Sequence, residues 1–469
     1  MDITTLSAYE LAHLIQKKEI SPVEVTHAYL KKIEELNPQI NAITSFDPVR
    51  ALKDAHNAEN VLMAGVTAKP LLGVPLTVKS SIDVQGLRCE TGTRLREGHI
   101  PETDATLVRR LRNAGAIILG NTSTPEMLVA YNTENLLYGQ TRNPWDLSRT
   151  PGGSSGGEAA AIACGMSAGG IGSDGGGSIR VPASFCGICG LKPTPGRVPS
   201  TGHYPPSGGP FALIGVLGPM ARTVSDLQLL YEVTTGYDPL DPVSVPASPI
   251  WEPEVTQLRV GFYQDDGYAA PTPEVAAAVL AAAQHLEDNG FAVESYRPEG
   301  LDRIHQMWSN IFVQGIAMVL SSMAKGRENE LTKNTQEFLT LASTMPPLRT
   351  SDLLNTLLDR DTLRLRLSVA MEHMPILLSP VAAIPAFRHE DGGWGAQYPA
   401  DYLRTMSYSQ YYNLLGNPAV VVPISYSNEG MPIGVQVIGR PYEEHRILSV
   451  ARVLEERFGY RQPKRAVAS

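Results

Sequence analysis

The sequence is poor in several features that mark particular protein classes. It contains only four cysteines in 469 residues, too few for a disulfide framework, namely Cys89, Cys164, Cys186 and Cys189. It has no block of lysine and arginine, and its formal net charge is −9. This balance argues against a nucleic-acid-binding surface, so we expect no nucleic-acid partner.

Long apolar runs are also missing. No uninterrupted apolar stretch reaches the roughly 20 residues that a transmembrane helix needs. Residues 1–5 do not start a basic segment followed by an apolar run, so we expect no signal peptide and a cytoplasmic protein. The ten histidines include no H-E-x-x-H motif, and Cys186 and Cys189 lack the two further ligands of a zinc site. The sequence therefore predicts no metal site.

Glycine, by contrast, is concentrated in residues 150–191, where Ser154, Ser155, Ser173 and Ser178 lie among many glycines. Glycine adopts backbone conformations that other residues avoid. Consecutive glycine N–H groups can therefore point into one concavity and bind a negative oxygen. Residues 174–178 end such a run on a serine, which predicts a nucleophile beside an oxyanion hole.

Hydrophobic periodicity predicts alternating helices and strands. Helices are predicted at 7–17, 21–36, 47–64, 104–114, 158–165 and 273–289, and strands at 40–46, 73–79, 116–120, 168–173, 258–263, 291–296, 375–380, 419–424 and 433–438. This alternation is typical of an α/β protein with a parallel or mixed sheet covered by helices on both faces. A proline-rich connection is predicted at 236–257 and a helical insertion at about 300–372.

The glycine-rich segment resembles the amidase signature family. The family pattern G-G-S-S-G-G stands at residues 152–157, and D-x-G-G-S-I-R-x-P stands at residues 174–182. Residues 73–79 match the family's lysine-bearing strand, and shorter matches extend over nearly the whole chain. The resemblance implies an amidase signature fold: one domain over residues 1–469 with a large, mixed, mostly parallel twisted sheet covered by helices on both faces.

The resemblance also implies a catalytic triad of Lys79, Ser154 and Ser178. Ser178 would be the nucleophile and Lys79 the base, with Ser154 between them and a cis peptide bond before Ser154. A lysine can accept a proton only where burial lowers its pKa from the usual value of about 10.4. The apolar residues before Lys79 would carry its amine into such an interior.

The glycines around the nucleophile have implied roles as well. The N–H groups of Gly175, Gly176, Gly177 and Ser178 would form the oxyanion hole, and Ser155, Asp174 and Arg180 would support the site. No cofactor is implied. Gly175 departs from the family, in which many members carry threonine or isoleucine at this position.

The substrate pocket is expected at residues 126–132, at the loop 199–211 and at the helical insertion, which would shape the entrance. Met127, Leu128, Val129 and Tyr131 indicate an apolar or aryl small molecule. The resemblance implies cleavage of carboxylic amides and admits aryl amides, carbamates (urethanes) and esters. Nothing in the sequence indicates an oligomeric state.

Two alternatives remain open at this stage. The glutaminase component of tRNA-dependent amidotransferases shares the same signature, and such a protein would use glutamine and require partner subunits. Residues 185–191 look more like those of free-standing amide hydrolases. A non-catalytic binding role is the other alternative, and the presence of Lys79, Ser154 and Ser178 argues against it.

Overall fold

The computed structural model of the chain describes residues 2–65, 69–246, 255, 257–391 and 399–463. Its first two helices begin at the expected serines. Ser7 and Glu10 form a reciprocal capping box, and Ser21 accepts hydrogen bonds from the backbone N–H groups of Val23 and Glu24.

The helices of the described residues are α1 Ala8–Gln16, α2 Pro22–Ile40, α3 Pro48–Met63, α4 Thr106–Asn113, α5 Gly156–Ala163, α6 Arg180–Cys186, α7 Val224–Thr234, α8 Pro273–Asp288, α9 Leu301–Ile311, α10 Val313–Met323, α11 Lys333–Thr344, α12 Thr350–His373, α13 Pro399–Arg404, α14 Ser407–Leu414 and α15 Glu444–Arg457.

The strands of the described residues are β1 Ile43–Phe46, β2 Pro75–Lys79, β3 Ile117–Thr122, β4 Glu134–Asn135, β5 Gly139–Gln140, β6 Gly169–Asp174, β7 Cys189–Lys192, β8 Val216–Ala221, β9 Arg259–Phe262, β10 Ala292–Ser295, β11 Ile376–Pro380, β12 Ala419–Tyr426 and β13 Pro432–Ile438.

Within the described residues, eleven of these strands form one sheet in the order β1-β3-β2-β6-β8-β7-β12-β13-β11-β9-β10. Parallel pairs occur on two flanks, at β3-β2-β6 and at β11-β9-β10. The strands between these flanks pair antiparallel, and β1 also joins β3 antiparallel. The α/β class and the mixed sheet are confirmed. The sequence predicts a mostly parallel sheet, whereas the strands at the centre of the sheet pair antiparallel.

Helices cover both faces of this sheet. On β12, Val420 and Val422 belong to one apolar cluster, whereas Val421 between them belongs to another. Successive side chains of a strand point to opposite faces, so the two clusters lie on opposite sides of the sheet. The first cluster holds residues of α2, α8 and α15, and the second holds residues of α6 and α10.

Most elements predicted from periodicity are present within a few residues of their expected bounds. The central strands β7 and β8 were not predicted, because Gly190 and the Gly218–Pro219 pair interrupt their apolar patterns. The predicted connection at 236–257 lies partly outside the described residues, at 247–254 and 256. The segment 301–372 contains α9 to α12, and none of the described helices is long and apolar enough to span a bilayer.

Candidate active site

Lys79 lies at the carboxyl edge of three adjacent parallel strands. It ends β2, which lies between β3 and β6, so the carboxyl ends of all three strands meet at this edge. The Lys79 side chain is fully buried. Its Nζ lies 2.6 Å from Ser154 Oγ and 3.0 Å from Ser173 Oγ.

The environment of this amine favours its neutral form. Burial lowers the pKa of Lys79 well below its usual range, because the ammonium form loses its hydration in the interior. The nearby carboxyl groups of Asp174 and Glu158 act in the opposite direction. Among the described residues, however, Lys79 forms no ion pair, because both carboxyl groups bind other partners.

Glu158, in the first turn of α5, accepts hydrogen bonds from the hydroxyls of Thr77 and Thr122. Burial raises the pKa of Glu158 to about 7, and these hydroxyls limit the rise. Near neutral pH the group therefore carries only part of a negative charge. Gly170 on β6 makes room for it, since a Cβ there would lie 2.0 Å from Glu158 Oε1.

Ser154 lies in a tightly packed turn before α5. The cis peptide bond Gly153–Ser154 that the resemblance implies is present in the structure. The Thr124 hydroxyl donates to the Ser154 carbonyl oxygen at 2.8 Å. The Ser155 N–H group donates to the Ser178 carbonyl oxygen at 3.0 Å, which ties this turn to the loop after β6.

Ser178 is half-buried, and its hydroxyl forms no hydrogen bond with any described residue. Ser154, Ser173 and Ser178 nevertheless line one cavity of about 180 Å³. The structure therefore brings Lys79, Ser154 and Ser178 to one site. It contains the contact from Lys79 to Ser154, while the hydroxyl of Ser178 is free to meet a ligand.

Asp174 and Arg180 organise the loop that carries Ser178. Both side chains are fully buried, and two guanidinium nitrogens of Arg180 lie 3.0 Å from the two carboxylate oxygens of Asp174. Burial alone would raise the pKa of Asp174, but the Arg180 guanidinium outweighs it and holds this pKa below its usual range. Arg180 also donates to Gln436 and Asn413, so the pair connects three distant segments.

The carbonyl groups of residues 175–177 each accept a hydrogen bond. Trp308 Nε1 donates to the Gly175 oxygen at 2.8 Å, the Tyr131 hydroxyl to the Gly176 oxygen at 2.6 Å, and the Val181 N–H group to the Gly177 oxygen at 2.7 Å. In a trans peptide the N–H group points away from the carbonyl. These three bonds therefore fix the directions of the N–H groups of residues 176–178.

Gly177 does not fit the predicted oxyanion hole. Its N–H group donates to Asp174 Oδ1 at 2.7 Å, so it is already occupied. The N–H groups of Gly175, Gly176 and Ser178 have no hydrogen-bond partner in the part of the chain that the structure describes. We therefore reduce the candidate oxyanion donors to these three residues.

The cavity is mostly apolar. Besides the three serines, its wall contains Met127, Leu128, Asp174, Gly175, His203, Pro205, Pro206, Ser207, Phe211, Ile214, Gly215, Val216, Phe312, Ile316 and Val319. Phe312, Ile316 and Val319 come from the helical segment 301–372, which the sequence predicts as an insertion, and the residues from His203 to Phe211 come from the predicted loop. No lysine or arginine of the described residues lines this wall.

Two of the four predicted pocket residues line a second cavity that adjoins the main one. Val129 and Tyr131 do not line the main cavity, but the small cavity that they line with Trp308 also includes Ser178 and Gly176. The reason is local: Met127 and Leu128 both have positive φ angles, of 51° and 68°, and the backbone turns there. Met127 consequently lines the main cavity, Leu128 lines both cavities, and Val129 and Tyr131 line the small one.

Comparisons with known proteins identify the family of the chain. The profile of the family described as "Amidase" matches residues 24–448. The chain belongs to the amidase family. It is an amidase, a hydrolase that acts on carbon–nitrogen bonds.

Several relatives match over nearly their full length. The chain is 34% identical to a glutamyl-tRNA(Gln) amidotransferase subunit of Moorella thermoacetica, covering 100% of both chains. It is 33% identical to an acylamidase of Rhodococcus erythropolis, covering 96% of this chain and 95% of that protein. The solved structure of 6-aminohexanoate cyclic dimer hydrolase with its substrate has a TM-score of 0.87 at 28% identity, covering 99% of this chain and 100% of that chain.

Three residues of this candidate site were not named individually from the sequence. Ser173 contacts the Lys79 amine, His203 lines the cavity, and Trp308 binds the loop of the candidate oxyanion donors. Ser173 lies one residue before Asp174 at the end of β6, so its place in the glycine-rich segment is a signal that could have found it. His203 lies in the loop 199–211 and Trp308 in the helical segment at about 300–372, both of which the sequence analysis expects at the pocket, but no local pattern singles out either residue.

The buried pair of Asp174 and Arg180 yields a stability prediction. Arg180→Met should lower the free energy of unfolding by about 3–5 kcal/mol, because Asp174 is left buried without its counter-charge. The double variant Arg180→Met/Asp174→Asn should lose less than the two single losses added together. Urea unfolding followed by circular dichroism measures all three variants.

The exposed pair of Arg303 and Asp359, 2.8 Å apart, provides the control. Arg303→Met should change the free energy of unfolding by less than about 1 kcal/mol. Losses at Arg180 and Asp174 that simply add would show that the two side chains are not coupled.

Proposed function

We propose that this amidase is a serine hydrolase that cleaves carboxylic amides through an acyl-enzyme on Ser178. The observation that carries the proposal is the buried amine of Lys79, 2.6 Å from Ser154 Oγ, beside a cavity that Ser154 and Ser178 both line. A serine hydroxyl is too weakly acidic to attack an amide without a base, and a neutral lysine amine supplies one.

In the first step, Ser178 Oγ attacks the carbonyl carbon of the substrate. Its proton passes to Ser154 Oγ, and the Ser154 proton passes to the Lys79 amine. The approach of the substrate and a rotation of the Ser178 side chain would bring the two hydroxyls into contact. Ser173 Oγ, 3.0 Å from Lys79 Nζ, would help to hold the lysine in place during the transfer.

The tetrahedral intermediate carries a negative oxygen, which the N–H groups of Gly175, Gly176 and Ser178 would stabilise. Preorganised donors are effective because they need no reorientation when the charge develops. Trp308, Tyr131 and Val181 support this arrangement by holding the carbonyl groups of the same loop. The Asp174 carboxylate keeps the Gly177 peptide in place by accepting a hydrogen bond from the Gly177 N–H group.

The intermediate then collapses as the carbon–nitrogen bond breaks. Ser154 gives its proton to the leaving amine and regains one from the Lys79 ammonium group. A water molecule next attacks the acyl-enzyme carbonyl and passes its proton through Ser154 to Lys79. The bond from the acyl carbon to Ser178 Oγ then breaks, Ser178 Oγ takes the proton back through Ser154, and the acid is released. Carbamates and esters fit the same sequence of steps, since both present an acyl carbonyl.

The apolar cavity favours an apolar or aryl acyl substrate. Met127, Leu128 and Phe211 supply carbon surface on one part of the wall, and Phe312 and Ile316 supply it from the helical insertion. Burial of such surface stabilises a substrate by roughly 25 cal/mol per Å². We propose that α10 of the insertion shapes the entrance and selects the substrate by size.

A second candidate is the glutaminase of a tRNA-dependent amidotransferase, with partner subunits. The 34% identity to the glutamyl-tRNA(Gln) amidotransferase protein of Moorella thermoacetica favours it. Glutamine carries both an ammonium and a carboxylate group, however, and no described lysine or arginine lines the cavity to bind the latter. Hydrolysis of glutamine faster than of anilides by the isolated chain would favour this second function.

Ser178→Ala tests the nucleophile. The variant should show no covalent labelling by a fluorophosphonate and should lose activity on the order of 10⁴-fold or more, because no other residue can form the acyl-enzyme. Ser207→Ala, at another serine of the cavity wall, should keep the label. Equal labelling of wild type and Ser178→Ala would remove Ser178 as the nucleophile.

Lys79→Met tests the base. Activity of the wild type on an anilide should rise with pH through the lowered pKa of Lys79, because only the neutral amine accepts a proton. The variant should lose about 10²–10⁴-fold in kcat/KM on the anilide and much less on a 4-nitrophenyl ester, whose leaving group needs no proton. Equal losses on both substrates would mean that the lysine is structural.

Gly175→Thr tests the pocket. A Cβ at this position would lie 3.1 Å from Phe312 Cε2, so a threonine side chain would narrow the cavity beside the nucleophile. We expect the variant to keep its kcat/KM for a short-chain amide and to lose most of its kcat/KM for a bulky aryl amide. Gly208→Thr, where a Cβ meets nothing within 4 Å, is the control. A uniform loss on both amides would assign residue 175 to oxyanion geometry instead.

A further inference from the structure

A separate cavity of about 200 Å³ lies beside the main one, and we call it the arginine cavity after Arg360 and Arg364 in its wall. Leu213 also lines the arginine cavity, whereas its neighbours in the chain, Phe211 and Ile214, line the main cavity. The two cavities share no lining residue in the described parts of the chain. A ligand in the arginine cavity would therefore lie close to the reaction site but outside it.

The two arginines lie one turn apart on α12 and are held at the end of another helix. Nε of Arg360 donates to the Leu414 carbonyl oxygen at 2.6 Å, and Nε of Arg364 donates to the Leu415 carbonyl oxygen at 3.0 Å. These carbonyl groups belong to the end of α14, where no further helical N–H group is available to them. The contacts explain why both guanidinium groups lie at this wall, but they use only the Nε atoms.

The outer nitrogens are only partly used. Asp361 Oδ1 accepts from Nη1 of Arg360 at 3.0 Å and from Nη1 of Arg364 at 3.4 Å. Neither Nη2 atom forms a hydrogen bond with any described residue, and neither is among the atoms that the fold seals completely from solvent. A Cβ at Gly416, which also lines the cavity, would lie 4.0 Å from Arg360 Nη2. Arg360 is only 5% exposed, so a nearly buried guanidinium presents a free donor to the cavity.

The charges at this wall do not cancel. Two guanidinium groups share one carboxylate, that of Asp361, whose side chain is 64% exposed to solvent. Burial and the nearby Arg364 lower the pKa of Arg360 to about 10, so Arg360 keeps its charge at neutral pH. No aspartate or glutamate of the described residues lines the cavity itself. The cavity therefore has one positive charge in excess, which suits a ligand with a single negative charge.

The rest of the wall is largely apolar. Pro195, Leu213, Val243 and Tyr442 contribute to it, and Val243 and Tyr442 remain 42% and 45% exposed. Tyr442 has a φ angle of 70°, which a bulky residue rarely adopts, and its N–H group donates to Thr194 Oγ1 at 2.9 Å. Strained residues of this kind are concentrated at ligand sites. A few placed polar groups beside apolar surface are also typical of small-molecule pockets.

We propose that the arginine cavity binds an organic acid as its monoanion. The carboxylate accepts hydrogen bonds from the Nη2 atoms of Arg360 and Arg364, and the apolar body of the acid covers the Tyr442 ring. Guanidinium groups suit this role because their N–H groups lie in one plane and stay charged. The acids released from apolar amides belong to this chemical class, but the site itself is independent of the nucleophile.

Equilibrium dialysis of ¹⁴C-benzoate against the full chain at neutral pH tests the proposal. Unlabelled benzoate, benzamide and inorganic phosphate serve as competitors, since benzamide has nearly the same shape without the charge. The variants are Arg364→Met and Arg360→Met, with thermal melting of each. Arg366→Met is the matched control, because Arg366 lies on the same helix, is 59% exposed and does not line the cavity.

We expect saturable binding of benzoate that unlabelled benzoate displaces and benzamide does not. Arg364→Met should weaken this binding roughly 10- to 100-fold, the effect of one hydrogen bond between charged groups, while Arg366→Met stays within about twofold of wild type. Arg360→Met should show a similar loss. If the missing contact to Leu414 unfolds that variant, Arg364→Met alone decides.

Equal affinity of wild type and Arg364→Met for benzoate would place the binding elsewhere, for instance in the main cavity, and would overturn the proposal. Absence of saturable binding at millimolar benzoate, or displacement by benzamide, would overturn it as well. Stronger displacement by phosphate than by unlabelled benzoate would refute the organic acid as the ligand. None of these measurements requires turnover, so their outcome is separate from that of the tests on Ser178.

Discussion

The Lys79 amine lies in the protein interior within hydrogen-bond distance of two serine hydroxyls and without an ion-pair partner among the described residues. The rest of the site depends on this placement of the amine. A carboxylate paired with the amine would keep it protonated and useless as a base. The two carboxyl groups nearby bind other partners instead of the amine. Arg180 pairs with Asp174, and the hydroxyls of Thr77 and Thr122 donate hydrogen bonds to Glu158. The fold thus holds negative charge close to the lysine without forming an ion pair with it.

The loop that carries Ser178 depends on a second set of distant contacts. Asp174 binds the loop from within through the Gly177 N–H group, while Trp308 and Tyr131 bind its carbonyl groups from other segments. Trp308 also stacks on Phe312, which lines the cavity. The helical segment 301–372 therefore contacts both the wall of the main cavity and the loop of candidate oxyanion donors. A change in this segment can therefore alter the shape of the cavity and the geometry of the loop together.

The sequence predicts those residues of the candidate site that stand in local motifs. It does not predict the features of the site that depend on long-range contacts. Lys79, Ser154 and Ser178 stand in contiguous patterns, and the structure brings all three together. Hydrophobic periodicity does not predict the antiparallel strands β7 and β8, because glycine and proline interrupt their apolar patterns. Pairing with neighbouring strands, rather than intrinsic β-propensity, holds these two strands in the sheet. The occupation of Gly177 by Asp174, the turn at Met127 and Leu128, and the position of His203 all depend on contacts or backbone conformations that no local pattern encodes.

The central claim is that Lys79 is neutral at working pH, and a direct titration tests it. Protein labelled with ¹³C at the lysine ε-carbons would be titrated by NMR, and the Lys79 signal would be assigned by its absence from Lys79→Met. We expect this signal to change at a pH well below those of the other lysines, as the lowered pKa requires. A Lys79 signal that titrates near the ordinary value of about 10.4 would show a charged lysine and contradict the account.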